Sequence, residues 1–98
     1  MKIDFAGKKA LVTASTAGIG FAIASALAES GAEVVINGRS QETVDKAIAR
    51  IKTQLPEAKL IAAAADLSTA EGCQQLVSKV PEVDILVNNA GIFGPADF

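Results

Sequence analysis

The chain has 98 residues, of which 50% are hydrophobic, and its formal net charge at pH 7 is −2. This length predicts one small domain over residues 1–98, and the near-neutral charge gives no electrostatic reason to expect a nucleic-acid partner. The sequence has no run of about 18 apolar residues to span a membrane and no apolar signal-peptide core at its start. Its single cysteine cannot form an internal disulfide, so we expect a cytoplasmic protein.

The sequence contains no histidine, tyrosine or tryptophan. Histidine is the usual proton-transfer residue near neutral pH, and tyrosine is a common alternative. Acid–base catalysis by these 98 residues would therefore depend on carboxylates, lysines or water. This composition argues against the chain being a complete enzyme by itself.

Four apolar runs recur along the chain, and their first residues lie 24 to 26 positions apart. They are Lys9–Thr13, Glu33–Asn37, Lys59–Ala64 and Val83–Asn88. The second and fourth runs are continuous and β-branched, which is typical of strands that are covered on both faces. Helical patterns separate the runs. The alternation predicts an α/β fold with the order β-α-β-α-β-α-β and a parallel sheet.

The first apolar run passes through small residues into a helix predicted over residues 18–30, with Gly31 ending it. The apolar face of this helix would carry Ile19, Ile23, Ala26 and Leu27. A strand–turn–helix of this kind directs backbone N–H groups and the positive end of the helix dipole toward one point. Of Gly18 and Gly20, one would let the backbone approach a ligand and the other would let the helix pack closely on the sheet. We therefore expect a nucleotide-phosphate site in the Thr13–Gly20 turn.

Two further helices follow from the pattern. The second is predicted to begin near Ser40, whose hydroxyl can cap it, and to end at Pro56. The third is predicted to begin at Ser68, with capping-box spacing to Glu71, and to end at Pro81. The apolar stripe of the third helix would consist of Cys73, Leu76, Val77 and Val80. The position of the cysteine on this stripe predicts a packing role rather than a reactive thiol.

Ligands of an open parallel sheet collect beyond the carboxyl ends of its strands. Small or polar residues follow all four predicted strands: Ala14, Ser15 and Thr16; Gly38, Arg39 and Ser40; Asp66 and Leu67; and Asn88, Asn89, Ala90 and Gly91. The opposite ends of the strands show no comparable cluster. One edge of the sheet is therefore predicted to bind the ligand.

Arg39 indicates which dinucleotide to expect. A cofactor without a 2′-phosphate usually meets an Asp or Glu at the end of the second strand, where this chain has Gly38 followed by Arg39. A guanidinium pairs with a phosphate dianion in a fork geometry and would leave a bare ribose diol less satisfied. The residues therefore favour NADP over NAD, and the alternative is a surface arginine at the start of a helix.

Two other strand exits leave alternatives open. Asp66 could accept a hydrogen bond from an adenine amine, or it could be only a negative charge at the start of the third helix. Asn88 and Asn89 could contact a ribose, or at least one of them could brace neighbouring loops. The residues alone do not decide between these interpretations.

Together these motifs resemble the amino-terminal half of a classical short-chain dehydrogenase/reductase of the NADP-preferring kind. Residues 13–20 read Thr-Ala-Ser-Thr-Ala-Gly-Ile-Gly, against Thr-Gly-x-x-x-Gly-x-Gly in that family. Gly38-Arg39, Asp66-Leu67 and Asn88-Asn89-Ala90-Gly91 follow at matching spacings, and the four motifs together are far more specific than the glycine motif alone. Ala14 stands where the family most often has glycine, so the turn needs a negative φ there or carries about 1 kcal/mol of strain.

The resemblance implies a Rossmann-like, doubly wound sheet with strand order 3-2-1-4, incomplete relative to the family. It implies the cofactor pyrophosphate at the first turn, the 2′-phosphate after the second strand, the adenine after the third and the ribose after the fourth. The implied cofactor-binding residues are Ala14, Ser15, Thr16, Gly18, Ile19, Gly20, Arg39, Ser40, Asp66, Leu67, Asn88, Ala90 and Gly91.

The resemblance also implies a function: the NADP(H)-binding portion of an oxidoreductase that transfers hydride between nicotinamide and a carbonyl or alcohol substrate. The family's catalytic serine and Tyr-x-x-x-Lys lie beyond position 98, so no catalytic residue is expected in this chain. A homo-oligomer is expected for the longer parent. Two alternatives remain: a non-enzymatic NADP-binding module that acts alone or is completed by a partner chain, and half of a methyltransferase using S-adenosylmethionine. The methyltransferase would require an acidic residue in place of Gly38-Arg39.

Overall fold

A computed structural model describes residues 4–89, in which four strands alternate with three helices. The strands are β1 (Lys9–Val12), β2 (Glu33–Gly38), β3 (Leu60–Ala64) and β4 (Ile85–Val87). The helices are α1 (Gly18–Glu29), α2 (Gln41–Gln54) and α3 (Ala70–Lys79). The predicted order of elements is confirmed, and every strand end lies within two residues of its predicted position.

The four strands form one parallel sheet in the order β3-β2-β1-β4, which is the order implied by the family resemblance. In the centre, Leu11 of β1 lies opposite Val35 of β2 on one side and opposite Leu86 of β4 on the other. The order of strands reverses between β1 and β4, and a sheet of this kind opens a crevice at the carboxyl ends next to such a reversal.

Helices cover both faces of the sheet, so the fold is doubly wound. On one face, α1 and α2 pack on Val12, Val34 and Ile36. On the other face, α3 packs on Leu11 and Val35. Successive side chains of a strand point to opposite faces, which explains why adjacent valines of β2 belong to different cores. Among residues 4–89, no helix has both the length and the apolar composition needed to cross a bilayer.

The buried stripe of α1 differs from the predicted one. The buried positions are Gly20, Ala24 and Ala28. Ile19 is 74% exposed and Ala26 is also exposed, whereas Ile23 and Leu27 lie partly buried at the border of the core. Small residues four positions apart let the helix lie close to the sheet, and a pattern based on bulky apolar residues selects a neighbouring face instead.

The start of α3 also corrects a prediction. Its N-cap is Thr69, whose hydroxyl accepts a hydrogen bond from the Gly72 N–H at 2.9 Å. The predicted capping box between Ser68 and Glu71 is wrong because the Ser68 hydroxyl donates to Asp66 Oδ1 at 2.6 Å instead. The helix therefore begins one residue later than its sequence signature indicated.

The predicted apolar stripe of α3 is only partly buried. Leu76 and Val80 belong to the core, and Cys73 packs against it while its Sγ donates to the Leu67 carbonyl at 3.4 Å. Val77 is 49% exposed, so the prediction was wrong at this position. The cysteine is thus a packing residue, as expected.

Candidate functional site

The carboxyl ends of β1, β2 and β3 open on one cleft with a volume of about 340 Å³. Of the residues that the sequence placed at the ligand edge, this cleft brings together Ala14, Thr16, Gly38, Arg39, Asp66 and Leu67. Asn37, Ala65 and Ser68 complete its lining. Residues from three separate strand exits are therefore neighbours, although up to 54 positions separate them in the chain, from Ala14 to Ser68.

The turn between β1 and α1 has an unusual backbone at Ala14, where φ is 51°. The sequence required either a negative φ or strain at this position, and the structure shows the strained alternative. A residue with a Cβ loses about 1–2 kcal/mol in the left-handed region. Two side-chain amides hold the turn: the Ala14 N–H donates to Asn37 Oδ1 at 2.9 Å, and Asn89 Nδ2 donates to the Ala14 carbonyl at 3.1 Å.

The two glycines after this turn serve different purposes. Gly18 has a φ of 62°, and a Cβ built on it would have no atom within 4 Å, so the backbone conformation alone favours glycine there. A Cβ on Gly20 would fall on the Ala14 carbonyl oxygen and lie 2.6 Å from Asn89 Nδ2. Gly20 therefore lets α1 sit directly against the turn, which is the packing role predicted for one of the pair.

Helix α1 begins at this turn with its backbone donors uncapped by a side chain. The N-cap residue, Ala17, has only a methyl group and cannot accept a hydrogen bond. The first N–H groups of a helix lack intrahelical acceptors, and the dipole adds positive potential at this end. Gly18 and Ile19 are exposed here. The arrangement therefore favours an anion.

Ser15 does not line the cleft, although the resemblance placed it among the cofactor-binding residues. It is fully buried, its N–H donates to the Asn37 carbonyl at 2.8 Å, and its hydroxyl accepts from the Asn37 N–H at 2.9 Å. These bonds extend the pairing of β1 with β2 by one step into the turn. Ser15 therefore stabilises the turn through these bonds, and its contact with a cofactor stays a prediction.

Arg39 follows β2 directly and is exposed at the rim of the cleft. The next residue, Ser40, caps α2 as predicted, because its hydroxyl accepts from the Thr43 N–H at 3.2 Å. Arg39 lines the cleft and Ser40 does not, although the positive end of α2 follows directly after the arginine in the chain. Gly38 is buried, and a Cβ there would lie 2.5 Å from Thr16 Cγ2. The position before the arginine therefore has no room for an acidic side chain unless the threonine moves.

Asp66 lies in the loop after β3 and is a carboxylate at neutral pH. Its Oδ1 accepts from the Ser68 hydroxyl at 2.6 Å and from the Ser68 N–H at 3.0 Å. These two bonds hold the pKa of Asp66 below its ordinary value, and the nearby Arg39 guanidinium lowers that pKa further. Within residues 4–89 the second carboxylate oxygen has no donor, so it is able to accept a hydrogen bond from a ligand.

Asn37 is the residue of the site that the sequence patterns missed. It is only 2% exposed, and its side chain contacts two strand exits besides its own. Oδ1 accepts from Ala14, while Nδ2 donates to the carbonyls of Ala63 and Ala65 at 3.0 and 3.4 Å. A signal was present in the sequence, because an amide at the end of the apolar run 34–36 must find partners when it is buried.

The two asparagines after β4 have separate surroundings. Asn89 braces the first turn through the Ala14 carbonyl, which confirms that at least one of them is a bracing residue. Asn88 is exposed, and its Oδ1 accepts from the Thr13 hydroxyl at 3.4 Å. The predicted ribose-side residues Ala90 and Gly91 lie outside the residues that the structure describes.

The chain has a parallel sheet in this strand order, and at its carboxyl edge a turn of small residues leads into an uncapped helix. These features define the Rossmann class of nucleotide-binding domains. A family model described as short chain dehydrogenase matches residues 8–98. The chain belongs to this family, as its sequence motifs predicted.

Individual relatives agree with this assignment. The oxidoreductase YvaG of Bacillus subtilis is 60% identical over all 98 residues, which span 37% of that protein. A 3alpha-hydroxysteroid dehydrogenase of Mediterraneibacter gnavus is 41% identical over 93% of this chain and 38% of its own length. The crystal structure of L-sorbose reductase from Gluconobacter frateurii, complexed with NADPH and L-sorbose, matches with a TM-score of 0.83 and 36% identity. That match covers 93% of this chain and 36% of the reductase, so the chain spans little more than a third of the length of these relatives.

Proposed function

We propose that these residues form the NADP(H)-binding portion of a short-chain oxidoreductase that transfers hydride between nicotinamide and a carbonyl or alcohol substrate. The observation that carries the proposal is the meeting of Arg39, Asp66 and the strained turn at Ala14 in one cleft. The NADPH complex of the similar L-sorbose reductase supports it.

In this proposal the pyrophosphate of the cofactor binds where α1 begins. The uncapped N–H groups at Gly18 and Ile19 supply donors, and the absence of a side chain at Gly20 keeps α1 close to the turn. Ala14 and Thr16 line the cleft beside these donors. A diphosphate bound here would replace solvent around groups that have no intrahelical partner.

The adenosine half of the cofactor would occupy the cleft between the other strand exits. Asp66 has a free carboxylate oxygen to accept from the adenine amine, and Leu67 offers an apolar contact for the ring. We assign the ribose side to Asn88, with Ala90 and Gly91, on the strength of the family motif.

The preference for NADP over NAD is proposed to come from the end of β2. The guanidinium of Arg39 is positioned to pair with a 2′-phosphate, and Ser40 at the start of α2 adds the positive end of a second helix. An acidic residue that would accept from the ribose hydroxyls of NAD is missing, since Gly38 stands at that position and is packed against Thr16.

The reduced cofactor supplies the hydride in such a reaction. These 98 residues contain no tyrosine or histidine, and we propose that they bind and orient the cofactor while proton transfer to the substrate oxygen is performed by residues outside them.

A titration of the intact gene product by calorimetry tests the proposal. NADPH is expected to bind at least roughly ten-fold more tightly than NADH, and S-adenosylmethionine is expected not to bind. Arg39→Ala should raise the Kd for NADPH by roughly 10- to 100-fold, because a charge-assisted contact is lost, and should leave the Kd for NADH within about two-fold.

The matched control is Arg50→Ala, since this second arginine lies over the ring of Phe21, 4.3 Å from its centroid, and does not line the cleft. It should change neither Kd. An Arg39→Ala variant with an unchanged ratio of the two constants would refute the 2′-phosphate assignment, and binding of S-adenosylmethionine in place of NADPH would refute the function.

A further inference from the structure

We propose that Asn37 is a positioning residue for the turn between β1 and α1, and that its side-chain amide keeps Ala14 in the left-handed conformation that the turn requires. The inference rests on the proposed function, because it concerns how the turn is prepared for the phosphates of NADPH. Asn37 acts in this role through Ala14, because its side-chain amide is bonded to backbone groups and the residue is only 2% exposed where it lines the cleft.

The amide of Asn37 is fully used by neighbouring backbone. Its Oδ1 accepts from the Ala14 N–H at 2.9 Å, and its Nδ2 donates to the Ala63 carbonyl at 3.0 Å and to the Ala65 carbonyl at 3.4 Å. One N–H donor and two carbonyl acceptors leave a single orientation for the amide group. The side chain therefore joins the β1–α1 turn to the end of β3.

The backbone of Asn37 holds the same turn from a second direction. Its carbonyl accepts from the Ser15 N–H at 2.8 Å, and its N–H donates to the buried Ser15 hydroxyl at 2.9 Å. Main chain and side chain of one residue thus bind two consecutive residues of the turn, Ala14 and Ser15. This arrangement restricts where the first turn of α1 can lie.

The need for such a restraint comes from Ala14. Glycine adopts a φ near 51° freely, whereas alanine favours negative φ and would leave the left-handed region if nothing held it there. If the turn adopts its binding conformation in only a fraction of the molecules, the apparent Kd for the ligand equals the intrinsic Kd divided by that fraction. Asn37 therefore compensates for a side chain at a position where the family most often has glycine.

No other common side chain combines these contacts. Aspartate has the same shape and could accept from Ala14, but its carboxylate would face the carbonyl oxygens of Ala63 and Ala65 without a proton to donate. Leucine has a similar size but no polar atom. Position 37 thus requires both the carbonyl oxygen and the NH2 group of an asparagine side chain.

A double-mutant cycle on the intact gene product tests the inference, with the Kd for NADPH as readout. Asn37→Ala is expected to raise this constant roughly ten-fold. In the Ala14→Gly background the same Asn37→Ala change should raise the constant much less, because glycine reaches the required φ without help. Ile51→Ala, in the buried face of α2 and outside the cleft, is the control that lowers the melting temperature without changing the Kd.

A purely structural role for Asn37 would make Asn37→Ala resemble the Ile51→Ala control, with no rescue by glycine, and that result would overturn the inference. The proposed function fails separately, if the unmodified protein does not bind NADPH.

Amide hydrogen exchange in the cofactor-free protein provides a second measurement that needs no variant. The Ala14 N–H is expected to be protected at least roughly ten-fold more than the N–H groups of Gly18 and Ile19, since it donates to a buried acceptor and they do not. Equal exchange at the three positions would overturn the inference even if Asn37→Ala does not fold.

Discussion

At the level of single residues, the backbone of Ala14 shows how opposing terms of similar size are balanced. The left-handed conformation costs about 1–2 kcal/mol for a residue with a Cβ. Each hydrogen bond that holds it, from Asn37 and from Asn89, contributes about 0.5–1.5 kcal/mol. Two such bonds are enough to offset the strain, so the turn persists without glycine. The margin is small, which is why loss of one bond should be measurable.

Asp66 leads to a prediction about acid pH. Because hydrogen bonds from Ser68 favour the ionised carboxyl, its pKa in the folded protein is lower than in the unfolded chain. A lowered pKa means that this interaction stabilises the fold above the ordinary carboxyl pKa and is lost as the pH falls through the folded value. Ser68→Ala should raise the pKa of Asp66, as followed by NMR titration of the carboxyl carbon.

The control for this titration is Ser25→Ala, whose hydroxyl donates to the Phe21 carbonyl at 2.9 Å within α1. It should leave the pKa of Asp66 unchanged. If Ser68→Ala also leaves it unchanged, the hydrogen bond from the Ser68 hydroxyl to Asp66 does not exist in solution.

At the level of elements, the close packing of α1 on the sheet depends on small residues. The stripe of Gly20, Ala24 and Ala28 lies against the sheet, and the first of these residues meets the Ala14 carbonyl. Close packing here places the uncapped end of α1 beside the cleft. The position of a helix thus decides whether its backbone donors are available to a ligand.

Gly20→Ala is expected to destabilise the protein by about 1–3 kcal/mol, because the new methyl group overlaps the Ala14 carbonyl. The sign of this change in the free energy of unfolding is informative. A glycine-to-alanine change inside a helix with free space stabilises the protein by about 0.5–1 kcal/mol. Urea denaturation of the intact gene product measures the difference. Ala22→Gly, at an exposed position of α1, calibrates helix propensity, and a stabilised Gly20→Ala protein would show that α1 does not contact the turn.

At the level of the whole molecule, residues 4–89 leave one face of the sheet incompletely covered. Leu86 is 50% exposed on β4, and its register with Leu11 places it on the face that carries α3. Val77 of α3 is 49% exposed on the same side. Within residues 4–89, β4 pairs only with β1, so its other edge has unpaired backbone groups. An open edge beside apolar surface promotes association.

Residues 1–98 produced alone are therefore expected to self-associate at micromolar concentration, as measured by sedimentation velocity. Leu86→Lys should reduce this association by placing a charge on the exposed apolar face. Ala49→Lys, which adds the same charge to an exposed position of α2, should have no effect. A monomeric species with one sharp unfolding transition would contradict the expectation.

The sequence by itself determined the order of strands and helices, the Ser40 cap of α2 and the edge of the sheet at which the cleft lies. These features follow from apolar periodicity and from caps, glycines and prolines, which act over a few neighbouring residues. Placing Ala14, Arg39 and Asp66 at one edge needed only the rule that parallel strands end on the same side. The family motifs added the strand order.

Only the tertiary structure decided the contacts that shape the turn. Asn37 and Ala14 are 23 positions apart, and Asn89 and Ala14 are 75 apart, so no local pattern relates them. The buried stripe of α1 and the burial of Ser15 were likewise settled by how closely elements approach one another. Chain periodicity identifies which residues can be buried, but the distance between packed elements selects which of them are, because side-chain volume must fit the space that remains.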